Sequence, residues 1–477
     1  MSEDDRGQMT DDSTDTHKFT INHIPTETGC RKAICKLMMK RLLFLFFVAA
    51  GFFVKASAQQ DSLTVEQAVA FALQNSYDIL LAKNDSLVAA INYDYRNTFF
   101  YPTVNSTGNV LYNNNNQRQT LADGSVRDRT GIRSTNLANA VSLNLVVFDG
   151  FRMFIARNGL DIALRQGSLT IKVAVINTVA NVINTYYDIV RQKQQLLNVE
   201  EQINLAADRL RLAQYKFDIG VSIKPDVLQA QIDLNNSKSE QITQRVLIAQ
   251  QKQALNQLMN FVPAADYKVS DTIPVRADLV LSNLLNGLGD NSPELLSARA
   301  NIDAATLAVR LAKADRYPTV SLVGAYNFSR TSNSAVINQF SPLFNLNRGF
   351  NYGVSLSVPI FNQFTVRRQI RQAELTVSFQ ELQYKNQELL LNTGLKTAYA
   401  SYDGQQQAVA VLDSNVALAR ENLFIERERY RLGRTTFIEL RQAEENVSVT
   451  ITNLINARYN LKTAETELLR LRGDLVR

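Results

Sequence analysis

The sequence predicts a mainly α-helical protein with a membrane β-barrel: long coiled-coil helical hairpins joined to four transmembrane strands per chain. Three observations predict it. First, the chain repeats at long range: Tyr101-Pro102-Thr103-Val104 returns after 216 residues as Tyr317-Pro318-Thr319-Val320, and Phe217-x-x-Gly220 returns after 213 as Tyr430-x-x-Gly433. Asp226, Gln229 and Ala230 then find partners in Glu439, Gln442 and Ala443. A period this long excludes short solenoid repeats and marks the duplication of a whole structural unit. Second, each copy holds one very long stretch of helical periodicity without proline. Third, the period just before each such stretch is two.

Residues 1–58 read as a leader. Lys36, Lys40 and Arg41 precede the apolar run Leu42 to Val54, and Ala56-Ser57-Ala58 has the small-x-small pattern of a signal-peptidase site. The run is short for a bilayer span; a signal anchor is the rival reading, because Lys55 interrupts its end. Cleavage after Ala58 leaves a chain without Cys, His or Trp. Thiol nucleophiles, imidazole bases and His or Cys metal sites fall away together, so neither an enzyme nor a cofactor is expected. Beyond the leader, 43 Lys/Arg face 38 Asp/Glu. These charges are mixed in sign along the helices, a solvated face and not a nucleic-acid surface.

The remaining chain divides into a first repeat at 59–262, a linker at 263–290 and a second repeat at 291–477. Each repeat opens with a helix. Leu63-Thr64-Val65-Glu66 resembles a capping start, with Val65, Ala68, Val69, Ala72 and Leu73 at helical spacing. Asn291-Ser292-Pro293-Glu294 offers a cap, a first-turn proline and an acid suited to the helix dipole. Both helices are expected to run for about 35 residues, roughly 53 Å, and to stop at Tyr-Pro, where proline favours extended backbone before it.

Strands follow. Val141, Leu143, Leu145 and Val147 alternate with Ser142, Asn144 and Val146 in a run ending at Phe148. In the second copy Val320, Leu322, Tyr326 and Phe328 form one series, and Phe350, Tyr352, Val354, Leu356, Val358 and Ile360 another, ending at Phe361. The opening strand, Val104 to Tyr112, is less regular. Alternation over about ten residues suits a transmembrane strand, and aromatics at the strand ends (Phe99, Phe100, Tyr101, Tyr317) suit an interfacial girdle. A half-buried strand of a soluble sandwich alternates in the same way; the girdle and the long Asn/Ser-rich connections expected at Asn113 to Leu137 and Thr331 to Gly349 favour the membrane.

Phe151 to Phe217 and Thr365 to Leu432 are then read as helices of about 100 Å, coiled-coil-like in pattern. Each breaks at a glycine, Gly220 or Gly433, and a returning helix of about 35 residues starts at Pro225-Asp226 or Phe437-Ile438. The opening and returning helices are expected to stack end to end as a pseudo-continuous partner for the long one. Phe261 to Val280 loses periodicity and is expected to form a mixed segment at the waist. The Arg/Glu-rich run Arg420 to Arg434 reads as a salt-bridged helix face ahead of a partner contact, and Asp149-Gly150 as a strand-to-helix corner.

Four strands cannot close a barrel, and open edges are not tolerated in lipid. Closure therefore requires other chains: two give eight strands, three give twelve and room for a lumen.

Together, Leu63, Thr64 and Ala68, the two Tyr-Pro junctions, Val358-Pro359-Ile360-Phe361, and the two glycine tips followed by Gln229-Ala230 and Gln442-Ala443 resemble the TolC family of outer-membrane efflux channels. The resemblance covers about Leu63 to Leu471. It implies a homotrimer in the outer membrane of a Gram-negative bacterium, with a twelve-stranded barrel and an α-helical tunnel reaching into the periplasm. It also implies a passive exit duct of an efflux or type I secretion system, opened when a periplasmic adaptor and an inner-membrane pump dock. The alternative is a periplasmic adaptor or structural coiled-coil protein. By resemblance, Gly220, Val221 and Ser222 with Gly433, Arg434 and Thr435 are the docking tips, although the glycines equally serve as helix stops. Asp226, Tyr430 and Glu439 match positions at the tunnel aperture, where a ring of carboxylates would favour cations. Helix capping explains the two acids as well. Gln442 replaces the family's second acidic position, and Arg434 stands one residue nearer the glycine than the family's locking arginine.

Overall fold

The computed structural model describes residues 62–475, except 262–266, 277, 338, 339 and 341. The leader expected at 1–58 lies outside the described residues. No helix among the described residues is long and apolar enough to cross a membrane.

Thr64 opens the first helix as its sequence predicts. The Gln67 N–H donates to the Thr64 hydroxyl at 3.3 Å and the Thr64 N–H to the Gln67 side chain at 2.9 Å, a capping box. The opening helix is nevertheless two helices, α1 (Val65–Asn75) and α2 (Tyr77–Asp94), divided at Ser76, whose ψ of 129° leaves the helical region. The break falls where the first copy's returning helix ends. Asn260 donates to the Asn75 carbonyl at 3.2 Å, and Phe71 stacks on Phe261 at 4.8 Å. A 3-10 turn, Arg96–Phe100, then delivers the chain to Tyr101-Pro102.

Strands β1 (Thr103–Thr120), β2 (Val126–Phe148), β3 (Thr319–Asn333) and β4 (Phe344–Ser357) form one antiparallel sheet in that order. Its register collects one apolar face: Val104 opposes Leu143, Val141 opposes Tyr326, Leu145 opposes Leu322, and Leu322 opposes Val354. The other face is small and polar, with Asn105 opposite Ser142 and Ser321 opposite Ser355. Tyr352 and Phe350 are 85% and 77% exposed on the apolar face. Such a face turned outward is the pattern of a strand in lipid.

The long loop expected at 113–137 is mostly strand, and the one expected at 331–349 is cut to a connection at 334–343 by the ends of β3 and β4. β1 and β2 have 18 and 23 residues, and only 121–125 turns between them. Asn is a poor strand former, but here Asn113 faces Ser134, Asn114 faces Arg133, and ladder pairing overrides propensity. The last pairing of β2 with β3 is Ser134 with Asn333, so the β1–β2 ribbon continues alone past the sheet. At the other end β4 stops at Ser357, short of the expected Phe361. Pro359, lacking an N–H, cannot extend the ladder.

Each sheet-to-helix corner is a left-handed turn. Gly150 (φ 68°) and Phe151 (φ 68°) make the first. A Cβ on Gly150 would lie 2.6 Å from the Ala314 carbonyl oxygen, so the position requires glycine. The Asp149 carboxylate accepts from the Met153 N–H at 3.1 Å, as expected of a corner residue. At the second corner Gln363 (φ 53°) and Phe364 (φ 60°) hold the same conformation without glycine, a strain of about 1 kcal/mol per residue or more.

From these corners run α3 (Arg152–Asp218) and, in the second copy, α8 (Thr365–Arg431), 67 residues each and about 100 Å long. The returning helices, α4 (Lys224–Met259) and α9 (Phe437–Arg472), have 36 residues each. Between the copies lie α5 (Leu281–Leu285), α6 (Leu288–Asn291) and α7 (Pro293–Ala314). The second opening helix is thus 22 residues, not about 35: it starts at the expected Pro293 and ends before Tyr317-Pro318, and Leu284 and Leu288 enter the core from two separate short helices ahead of it. Ser292 precedes α7 without a side-chain capping bond.

The short helices do stack along the long ones: α2 and α4 pack on α3, and α7 and α9 on α8. α3 also packs against α7 and α9, so the layers run short stack, α3, short stack, α8. Two cores hold the waist. One joins Ala68, Tyr186, Ile189, Leu255 and Met259 with Tyr267 and Val269 of the connecting segment; the other joins Leu284, Leu295, Leu395, Tyr402 and Leu468. Full burial of each large side chain contributes roughly 1.5–3 kcal/mol. Glu465, 2% exposed, accepts from the Arg276 N–H at 3.1 Å and pairs with Lys462 at 2.8 Å, fixing the connecting segment to α9.

Candidate functional site: the helical tips

Both hairpin tips are Schellman turns. The Val221 N–H donates to the Lys216 carbonyl at 2.8 Å and the Gly220 N–H to Phe217 at 3.0 Å. In the second copy Arg434 donates to Arg429 at 2.8 Å and Gly433 to Tyr430 at 3.1 Å. The motif needs a left-handed residue after the helix, supplied by Gly220 (φ 76°) and Gly433 (φ 72°). A Cβ at either glycine would meet nothing within 4 Å, so these turns are open to the outside. Val221 is 69% exposed. Ser222, Arg434 and Thr435 complete the two turns.

The acidic residues are engaged locally. Asp226 accepts from the Ser222 hydroxyl at 2.7 Å. Glu439 accepts from the Thr436 N–H at 2.8 Å, from the Thr436 hydroxyl at 3.0 Å, and from the Thr435 hydroxyl. Those donors hold its carboxyl down at about 2. The Glu439 N–H in turn donates to the Thr436 hydroxyl, completing a capping box. Among the described residues of one chain, no group of three or more acidic, His or Cys side chains is placed to hold a metal ion.

Tyr430 is buried in the tip core with Ala213, Ala230, Phe437, Leu440 and Ala443. Lys216, from the other hairpin, donates to the Tyr430 carbonyl at 2.6 Å, and its ammonium lies 3.6 Å from the ring centre. Burial pushes the Lys216 ammonium down and the Tyr430 phenol up, with Asp226 adding to the latter. Phe217, the counterpart of Tyr430, remains 38% exposed. The two copies therefore diverge at the tip: Tyr430 is packed inside the chain and Phe217 stays partly exposed.

A second set of residues went unread in the sequence. Arg209 of α3 is 5% exposed and reaches both neighbouring helices, pairing with Asp233 of α4 at 2.8 Å and with Glu444 of α9. Arg441 approaches Asp233 at 3.4 Å, and the Arg209 guanidinium lies 5.4 Å from the Phe437 ring centre. Burial raises the Glu444 carboxyl to about 7, against the pull of Arg209 and Arg427. The signal was present: Arg209 falls between Ala206 and Ala213 on the buried face of α3, a charge at a core position. Nearby, Arg427 pairs with Asp208 at 2.9 Å and Arg420 with Glu201 at 3.4 Å, tying α8 to α3. The expected salt-bridged face of Arg420 to Arg434 is real, and part of it runs between helices. A cavity of about 500 Å³, lined in part by Leu205, Arg209, Tyr215, Phe424 and Leu440, lies along this seam.

The described residues thus combine one apolar-faced sheet, whose outer strands are β1 and β4, with two long helical hairpins joined to it through matching left-handed corners, the build of a sheet-and-tunnel channel subunit fold. The model of the outer membrane efflux protein family matches residues 69–261 and 284–474, and the chain belongs to that family, whose place is the outer membrane. It is 28% identical over 192 residues to the outer membrane efflux protein BepC of Brucella suis, covering 40% of each chain. It is 22% identical over 272 residues to the outer membrane protein TolC of Vibrio cholerae, covering 56% of this chain and 61% of that one. The chain thus spans about two fifths to three fifths of the length of these relatives. In fold it is similar to the CmeC outer membrane channel of Campylobacter jejuni, with a TM-score of 0.71 at 15% identity over 86% of this chain and 85% of that one. The outer membrane protein VceC of Vibrio cholerae gives 0.69 at 17% identity over 86% and 96%.

Proposed function

We propose that three copies of this chain form a passive exit duct for efflux or secretion. A periplasmic adaptor, coupled to an inner-membrane pump, opens the duct at the helical tips. The observation that carries this reading is the unfinished edge of the layered wall. α8 buries six of its 67 residues where α3 buries 18. Leu375, Phe379, Leu382 and Leu389 are exposed along it. At the opposite edge Tyr77, Leu81, Leu87, Val88 and Ile91 of α2 are exposed as well. Placing α8 of one copy against the short stack of the next continues the alternation, and pairs β4 of one copy with β1 of its neighbour. Three copies give twelve strands and a lumen.

In this reading the tips dock on the adaptor through Gly220, Val221, Ser222, Gly433, Arg434 and Thr435. The aperture is narrowed by the tip ends that carry Asp226, Tyr430 and Glu439. Opening separates α8–α9 from α3–α4, so the Arg209 cluster and the Lys216–Tyr430 contact are the bonds that must loosen. The chain's own residues bind, pack and switch; none performs covalent chemistry. Extraction and sizing test the proposal. A heat-modifiable trimer that requires detergent supports it, whereas a monomer soluble in plain buffer overturns it.

A further inference from the structure

We propose that the start of α8 holds the headgroup of an anionic phospholipid at the periplasmic face of the membrane. Arg367, Arg368 and Arg371 stand within the first two turns of α8 and, with Phe364 and Gln372, line a cavity of about 430 Å³. Arg371 has Glu374 at 3.3 Å. Among the described residues, Arg367 and Arg368 have no ion-pair partner in the protomer. Cations at a helix N-terminus oppose the helix dipole, so two unpaired arginines there are unfavourable unless an anion joins them.

The neighbouring surface indicates which anion. The exposed apolar series Phe350, Tyr352, Val354 and Leu356 on β4 continues through Val358, Ile360 (93% exposed) and Phe361. Phe361 meets Phe364 edge to face at 5.7 Å, and the arginine cavity opens beside Phe364. Along the chain from Val354 the exposed side chains pass from apolar to aromatic to cationic, the order in which a phospholipid presents acyl chain, glycerol and phosphate. Arginine forks match phosphate oxygens, and basic groups near an anionic membrane surface are attracted to it.

The duplication supplies an internal control. By the 213-residue offset, Arg367, Arg368 and Arg371 correspond to Phe154, Ile155 and Asn158 at the start of α3. There Phe154 packs on Phe100 at 5.1 Å. The same backbone positions therefore work with uncharged side chains, and the fold does not demand the arginines.

The test uses the full-length protein in neutral detergent, with lipid retention read by native mass spectrometry during titration with dioleoyl-phosphatidylglycerol or dioleoyl-phosphatidylcholine. The wild type should prefer phosphatidylglycerol. The R367Q/R368Q double variant should retain that lipid about thirty-fold less tightly. R367K/R368K should keep most of the preference, and Lys396→Ala, farther along α8, all of it. Excess inorganic phosphate should not displace the lipid. Equal retention of the two lipids by the wild type, or full displacement by phosphate, would overturn the proposal. So would loss of the oligomer in R367Q/R368Q with rescue in R367K/R368K, because the arginines would then face a second copy of the chain.

Discussion

The buried carboxyl of Glu444 makes the seam between the hairpins sensitive to pH, and the sign of that sensitivity follows from its surroundings. Asp208 and Arg209 face it from α3, Asp233 from α4, Arg427 from α8 and Arg441 from α9, and burial outweighs the cations, raising its pKa from 4.5 to about 7. Between those values the folded chain keeps a proton that the unfolded chain has lost. Stability at the tip therefore rises as pH falls from about 7 towards 4.5, and the cost of the buried charge is fully present above 7. The shift corresponds to roughly 3 kcal/mol, or on the order of a hundredfold in a local opening constant. We predict that Glu444→Gln, which keeps the shape and removes the charge, abolishes this dependence and strengthens the tip above pH 7. Amide exchange at Leu440, Ala443 and Val447, corrected for intrinsic rates, would measure it. Protection that falls on acidification in the wild type, or the same slope in the variant, would refute the reasoning.

Two further predictions concern the tips. Gly433→Trp should abolish complementation of pump-dependent efflux while leaving trimer yield intact, since its side chain would project into open space and its left-handed φ costs only about 1 kcal/mol; retained complementation would remove this turn from the docking surface. Asp226→Ala combined with Glu439→Ala should alter cation block of single-channel conductance, and unchanged block would leave both carboxylates as helix caps only.

Periodicity made the long helices legible almost to the residue. Phe151 to Phe217 and Thr365 to Leu432 were expected; Arg152–Asp218 and Thr365–Arg431 are found. A 3.6-residue pattern sustained over 67 residues has no competing interpretation. The strands were legible only where side chains alternate. Asn113 to Gln119 resembles a loop, because pairing across β1 and β2 fixes its conformation and no local preference does. The break at Ser76 was equally silent, since the hydrogen bond that accommodates it comes from Asn260, 185 residues away. At the tips, the glycines announced the turns, and the capping alternative noted for Glu439 has its geometry in full. Of the Arg209 cluster only Arg209 itself carries a signal, as a charge on the apolar face of α3; its partners Asp233 and Glu444 lie on two other helices and are ordinary charges in their own stretches of sequence.

The left-handed corners at Gly150-Phe151 and Gln363-Phe364 have a mechanical consequence. Each fixes the root of a helix that runs unbroken for about 100 Å, and the waist cores around Tyr186 and Tyr402 hold α3 and α8 a second time near mid-length. A bend of about 12° beyond the waist carries the far end, roughly 45 Å further on, through about 10 Å. Large travel at the tips therefore requires almost no displacement among the strands, and the sheet can remain sealed in lipid while the distant end moves.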